Sequence, residues 1–514
     1  MKTGKASQSK IGNWIYDHRV EVVALIVITG VILLFFIGYT DHLFQTDTYA
    51  KWFYSWEDYH RQYMVNVRYG ECLYMAFFYK VMGNPQHFRA FHVAIGLVLD
   101  IVIVFILWKI LCSKTASAKN SWRQKALLLL IALLLRANVF YSDIFQYGVD
   151  SAPMFIGDLL AIAGAWVFLE KRKVWKVVGI LLLCASLFFR QTCLFWFLFT
   201  AIVIIYSDGL KKKSPFELIQ RLCTTIGAIL VAVIPVLTCI NLFAPHGSRG
   251  SFSEVSIGSS FQSLRETLGG LLKNCDGLMP NWFYTILLFL VLCFGIYLIF
   301  RKNGCGSKGR RGYDLVLWMT STILILIGTF FTVFFEAYLP HRTTYGFAVI
   351  LPFWIFFLFQ ILLMQEGSLK RLFSGFFAVI LIADLIVGGI YTMLIYNGMI
   401  KTNQIDQDDA RFYYEQILSY EEATGNTVNN IAWHMDDSFT WKLPGVIGSK
   451  NINNRAYAFD WSRREIMPYT VNRRFNIVPY PEEAYQEYFA GIDWDGVDIG
   501  QIVFDRDTAF IIIY

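Results

Sequence analysis

LLLCASLFFRQTCLFWFLFTAIVIIY, from Leu181 to Tyr206, carries a single charge, Arg190, with Gln191 beside it. A helix that crosses a bilayer core of about 30 Å needs roughly 20 apolar residues, so a longer run with a cation inside it reads as two spans joined by a tight hairpin. The tip of that hairpin carries Arg190 to a membrane face, because a guanidinium within the hydrocarbon is costly without an anion. Similar runs recur along the chain. Eleven spans are predicted, over residues 20–39, 91–112, 126–144, 153–170, 175–189, 193–207, 222–243, 282–300, 314–338, 345–365 and 373–396. The composition agrees: 514 residues at 56% hydrophobic, 17% aromatic and 16% charged leave too little polar surface to coat a water-soluble globule, which excludes a soluble enzyme.

Charge sets the expected orientation. Alternate connections, beginning with Lys2, Lys5, Lys10 and Arg19 ahead of a retained first helix, hold 23 Lys and Arg, against 10 in the opposite set. Cytoplasmic loops keep the cations, so the N-terminus is expected inside and the C-terminus outside. The net charge of +6 then describes loops facing anionic lipid and gives no reason to invoke nucleic acid. The last 118 residues reverse the sign, with 18 Asp and Glu against 10 Lys and Arg. They contain no Asn-x-Ser/Thr acceptor, which favours a bacterial plasma membrane over a eukaryotic lumen. The nine cysteines fall mostly in apolar runs and read as packing residues.

The chain therefore divides into a polytopic all-α membrane domain, 1–396, with a long first outer loop over 40–90, and a small extracytoplasmic α/β domain, 397–514. In the latter, Asp408–Ala423 reads as a helix stopped by Gly425, and a second helix starts at Pro481. Strands are expected at Asn430–Trp433, Ala456–Trp461, Phe475–Val478, Gln501–Phe504 and Thr508–Tyr514, with a turn at Asp505–Asp507. The last strand must be buried, since its exposed apolar edge would aggregate.

Candidate chemistry gathers in the outer loops. The first interleaves Asp47, Glu57, Asp58 and Glu71 with Arg61 and Arg68 among many aromatic rings, so parts of it belong at the membrane interface. Asp143 and Asp150 precede a helix that starts at Pro153; Asp150 is either its cap or a carboxylate sharing a cavity with a first-loop acid, dividing base from orienting or metal-binding work. Arg342, beside His341, is expected at the level of Arg190. Guanidinium forks fit phosphate oxygens, so two or three arginines, Arg190 and Arg342 among them, converging below the outer loops suit a lipid-linked phosphate, the alternative being that each snorkels to a headgroup. Asp100, Arg136, Asp158 and Asp384 lie inside spans, where they either pair or relay protons. The connection 244–281, with its Gly/Ser-rich SRGSFSEVSIGSS, is a candidate lid, and His434, Asp436 and Asp437 have a spacing that is common by chance.

An acidic aromatic first loop, a second acidic loop, arginines at the outer face and a C-terminal extracytoplasmic domain resemble the layout of GT-C-fold glycosyltransferases. Within these, Asp47–Met75 (DTYAKWFYSWEDYHRQYMVNVRYGECLYM) is similar to the Gtr-type O-antigen glucosyltransferase-like family, where acidic residues after the first helix precede a segment with Arg and Gly. The resemblance implies transfer of a hexose, glucose among the candidates, from a polyprenyl-phosphate donor to a glycan or glycolipid acceptor, with inversion. It implies Asp47 as the base, with Glu57 and Asp58 as rivals; the family's Asp-Asp pair is absent here, and Glu57-Asp58 stands near its place. Asp150 becomes the partner of the base, and Arg68, Arg190, Arg342 and His341 the phosphate contacts. Whether a divalent metal ion takes part is left open. Two other classes fit a polytopic chain: a transporter or flippase of lipid-linked or cell-envelope substrates, working through the charges inside the spans, and a non-catalytic receptor or assembly scaffold that binds through the tail.

Overall fold

A computed structural model describes residues 18–513 apart from 42, 116–120, 171, 212–214, 244–256, 302–307, 335–338, 365–368, 437–438, 493 and 495–496. Lys2, Lys5, Lys10, most of SRGSFSEVSIGSS, Asp437 and Tyr514 lie outside the described residues. The chain opens with α1 (Arg19–Phe36), followed by three helices, α2 (Thr46–Trp52), α3 (Trp56–Val65) and α4 (Tyr69–Met82), in the region read as a loop. The bundle continues with α5 (Arg89–Lys114), α6 (Trp122–Leu134), α7 (Tyr141–Gln146), α8 (Ser151–Phe168), α9 (Lys173–Phe189), α10 (Leu194–Lys211) and α11 (Pro215–Phe243). Then come α12 (Ile257–Asn274), α13 (Phe283–Phe300), α14 (Lys308–Phe330), α15 (His341–Thr344), α16 (Ile350–Met364) and α17 (Leu369–Thr424).

Among the described residues, 9 segments are long and apolar enough to cross a membrane. The other two expected spans fold as α6 and α9, shorter helices of 13 and 17 residues. The run Leu181–Tyr206 divides where its sequence says: α9 ends at Phe189, Arg190 takes extended backbone (φ −151°, ψ 139°), and α10 starts at Leu194. α8 packs on α5, α9 and α10. It approaches α9 closely because Gly164 faces Gly179, where a Cβ on Gly164 would sit 3.0 Å from the Gly179 carbonyl oxygen. α10 and α16 are the most enclosed spans and α11 the least.

Three expectations are corrected. The stretch 244–281 contains a helix, α12, whose Leu264, Leu268 and Leu271 pack on the bundle while Phe261 is exposed; its apolar positions at i, i+4 and i+7 give one buried stripe. The last span and the helix expected at Asp408–Ala423 are one continuous helix, α17, of 56 residues that runs through 396/397; polarity changes there, but the backbone is not stopped before Gly425. Ala456–Trp461 forms a 3-10 turn and the start of a helix, α18 (Asp460–Val471), instead of a strand.

Beyond α17 lies a four-stranded sheet of β1 (Asn430–Met435), β2 (Asn476–Ile477), β3 (Ile502–Asp505) and β4 (Thr508–Ile513), with the short helix α19 (Glu482–Tyr488) between β2 and β3. The order is β2-β1-β4-β3, with β1 parallel to both its neighbours and β3 antiparallel to β4. The last strand is thus central as well as buried, with Ile511, Ile512 and Ile513 enclosed, which removes the apolar edge that β4 would otherwise expose. Its core is shared. Phe44 and Tyr49 from the start of the chain join Tyr413 and Ile417 of α17 and Ile431 and Ile511 of the sheet in one apolar cluster. Arg455, buried, bonds Asp406 (2.9 Å) and Asp409 of α17. The first loop, α17 and the sheet are therefore packed as one body at one end of the bundle.

Candidate functional site

Arg68, Arg190 and Arg342, far apart in the chain, line one cavity of about 170 Å³. Its remaining wall is largely apolar, with Leu187 and Leu194 flanking Arg190 and Val233, Val236 and Ile240 contributed by α11. Leu230, Val231 and Ile234 of that same helix point outward and are exposed.

Each arginine is placed by its local backbone. Arg190 occupies the break between α9 and α10, where its N–H still donates to Ser186. Arg68 follows Val67, whose φ of +53° is rare for a β-branched residue. There α3 ends in a Schellman arrangement, with Val67 N–H donating to Met64 O (3.0 Å) and Arg68 N–H to Tyr63 O (2.9 Å). Glycine is the usual residue at that position, and valine there stores roughly 1–3 kcal/mol of strain. Gly70 then lets α4 seat against α9, because a Cβ there would lie 2.6 Å from the Phe189 ring. Close seating brings the next residue, Glu71, to Arg190 at 2.5 Å. Arg342 is fixed from the other side: its backbone N–H donates to Asp143 (2.8 Å), its guanidinium lies 3.3 Å from the same carboxylate, and it stacks 4.6 Å over Tyr147.

A buried polar network supports the arginines. Asp150 accepts from Lys51 Nζ and from Tyr63 Oη, both at 2.8 Å, and lies 3.7 Å from Arg190. Glu71, fully buried, also lies 3.5 Å from Arg68. Burial and the charge of Asp150 hold the Tyr63 phenol far above its ordinary pKa, so it stays a donor. Arg68 keeps 30% of its side chain accessible, yet burial lowers its guanidinium pKa; Glu71 opposes that shift, and the like charges of Arg190 and Arg342 add to it. An anion beside it would relieve that penalty.

The other expected residues go elsewhere. Asp150 does not cap α8 with its side chain and does not line the arginine cavity; it anchors Lys51 and Tyr63. Asp47, half-buried in the first turn of α2, accepts from Trp461 Nε1 at 3.0 Å. It reaches the arginines only through intermediaries: Gln45 accepts from the Asp47 N–H and donates to Tyr147 Oη, whose ring underlies Arg342. Asp58 closes a capping box with Ser55 at the start of α3, and Glu57 is exposed beside it. His341 is corrected: it is fully buried, faces Asp276 (3.4 Å to the carboxylate) and does not line the cavity. His434 packs against the rings of Tyr480 and Tyr485. Among the described residues, no three His, Cys, Asp or Glu side chains gather as a metal site. Lys51 escapes sequence reading as a site residue, and Glu71 is read only as one of the first-loop carboxylates, because charges in a polar loop look solvated and their partners lie 99 and 119 residues away.

Three of the charges expected inside spans are paired, although Arg136 lies just beyond the end of α6 and in none of the 9 membrane-length segments among the described residues. Arg136 bonds Asp100 and Asp158, each at 2.6 Å, and all three are fully buried; the rings of Tyr141, Phe155 and Trp196 surround its guanidinium at 4.4, 4.7 and 5.1 Å. Asp384 is separate, lining a small cavity with Asn138 and Tyr284. Arg136→Met is expected to destabilise the fold by about 3–5 kcal/mol, because two buried carboxylates lose their cation. Thermal unfolding in detergent checks this, and a variant that melts like the wild type would show the triad to be inert.

Comparison with known proteins returns no matching family model, no matching curated protein and no matching solved structure.

Proposed function

We propose that this chain is a membrane glycosyltransferase, moving a hexose from a polyprenyl-phosphate donor to an extracytoplasmic glycan or glycolipid acceptor at a bacterial plasma membrane. The observation that carries the reading is the convergence of Arg68, Arg190 and Arg342 on one cavity whose other wall is apolar. A polyprenyl-phosphate sugar has the same division, a hydrocarbon chain joined to an anionic phosphodiester. α11 offers apolar side chains both to the cavity and outward, so a prenyl chain has a path to the lipid along it.

In the reaction, the acceptor hydroxyl gives its proton to a carboxylate and its oxygen bonds the anomeric carbon. The bond from that carbon to the phosphate oxygen breaks, and its electron pair leaves on the lipid phosphate. The phosphate thereby changes from one negative charge towards two. Donors fixed in advance around it act most strongly on that developing charge, and a base within hydrogen-bond reach of the acceptor assists its attack. Asp47 is our assignment for the base.

The test uses membranes holding the full chain, supplied with radiolabelled polyprenyl-phosphate hexose and cell-envelope glycolipids. Label is expected to leave the lipid donor and appear in glycan, and to remain on the donor with an Arg68→Ala, Arg342→Ala double variant expressed to the same level. Label that crosses the bilayer while still attached to its lipid would instead establish a flippase. No loss of label from any donor, with folded protein present, would sink the transferase reading.

A further inference from the structure

Beside Asp47 the C-terminal unit presents an aromatic surface that the cavity does not use. Phe459 and Trp461 stack with centroids 4.7 Å apart and planes 28° from parallel, and Trp441 meets Phe459 edge-on at 5.3 Å. Trp441 and Trp461 are 50% and 48% exposed. Two half-exposed indoles in contact with a shared phenyl ring lose apolar burial that a sequence would ordinarily recover, and such patches mark binding surfaces. Trp461 is also held in place: its Nε1–H donates at 3.0 Å to Asp47 Oδ1, 414 residues away, although half of the side chain is exposed. A ring so fixed loses little conformational freedom on binding.

We propose that Trp441, Phe459 and Trp461 form a saccharide-binding platform, the acceptor subsite of the transfer reaction, with the edge of the platform at Asp47. The proposal rests on the transferase reading for its role and on the local geometry for its ligand. The axial C–H bonds of a pyranose present a weakly electropositive apolar face, which matches the negative face of an aromatic ring. Hydroxyls at the rim of the same sugar need acceptors, and Asp47 stands at that rim. A hydrocarbon surface is the poorer match, because a carboxylate bonded to the indole N–H would have to be desolvated against it. A sugar stacked on Trp461 has its hydroxyl edge towards Asp47, which is the relation a base requires.

The test is saturation-transfer NMR on the full chain in detergent, with maltotetraose, cellotetraose and laminaritetraose as probes. Wild-type protein is expected to give enhancements on the ring C–H protons of at least one of these. Trp441→Ala and Trp461→Ala should each reduce them by roughly fivefold, the loss of about one stacked ring. Trp461→Phe should retain most of the signal, and Trp122→Ala, which removes a 59% exposed indole elsewhere, should leave it unchanged. Signals equal in wild type and both alanine variants, or none from wild type with any probe, overturn the platform. The two readings separate cleanly: platform-dependent binding without sugar transfer sinks the transferase and leaves the subsite. Transfer whose acceptor KM is unmoved in both alanine variants sinks the subsite and leaves the transferase.

Discussion

Arg190→Lys is expected to lower transfer from a polyprenyl-phosphate hexose by about 10²–10³-fold, mostly in kcat, as removal of one donor to a developing oxyanion does elsewhere. Lysine keeps the positive charge, so Glu71 and Asp150 are not left without a cation and the fold should survive. What lysine cannot reproduce is the fork. In the wild type, Nε of Arg190 is committed to Glu71 at 2.5 Å and one terminal nitrogen lies 3.7 Å from Asp150, so the guanidinium is clamped in plane before any donor arrives. An ammonium on a flexible stem would be drawn towards Glu71 and could not also meet the phosphate with a second, fixed N–H. Arg190→Ala is less informative, because it leaves the fully buried Glu71 with only its longer contact to Arg68 and is expected to cost about 3–5 kcal/mol of stability. Turnover of Arg190→Lys within twofold of wild type would remove Arg190 from the chemistry and reduce it to an anchor of α4.

Asp47→Asn is expected to reduce kcat by about 10²–10⁴-fold, the usual contribution of a general base, with little change in donor KM. Asparagine preserves an oxygen to accept from Trp461 Nε1, so the contact between the first loop and the C-terminal unit should persist and unfolding should not confound the result. The neighbouring carboxylates supply the contrast. Asp58→Asn weakens the capping box of α3 and should cost about 1 kcal/mol of stability, leaving transfer intact. Glu57→Gln, on an exposed first turn, should do neither. If Glu57→Gln abolished transfer while Asp47→Asn retained it, the base would be Glu57, and the platform beside Asp47 would need a different purpose.

Some of this was readable in the sequence for definite reasons. A lone arginine inside an apolar run has few places to go, so the break at Arg190 and the helices on either side follow from hydropathy alone. Arg68 and Arg342 were identified by charge and level, and the strand Thr508–Ile513 by an apolar ending that had to be covered. The supporting network was not readable. Lys51 and Glu71 lie among solvated-looking charges, and only the fold shows that Asp150 and Arg190 take them out of water. The polar switch near residue 397 suggested a boundary because composition changes there; a helix, however, ends where its backbone is stopped, and Gly425 is the first residue that does so. Ala456–Trp461 alternates like a strand, yet Arg455, drawn into Asp406 and Asp409, turns the chain into α18 instead.

The uninterrupted α17 has a mechanical consequence. At 1.5 Å per residue, its 56 residues extend about 84 Å, nearly three times the hydrocarbon thickness of a bilayer. Its upper turns are bolted to Arg455 and to the sheet's own core, while its lower turns belong to the bundle. A rod of that kind holds what it carries at a set height. If the aromatic surface near Asp47 is the acceptor subsite, it is a fixed reading head, and an acceptor would be chosen by how far its terminal sugar stands from its own membrane anchor: too short a stem falls below the platform, and too long a one must fold back to reach it.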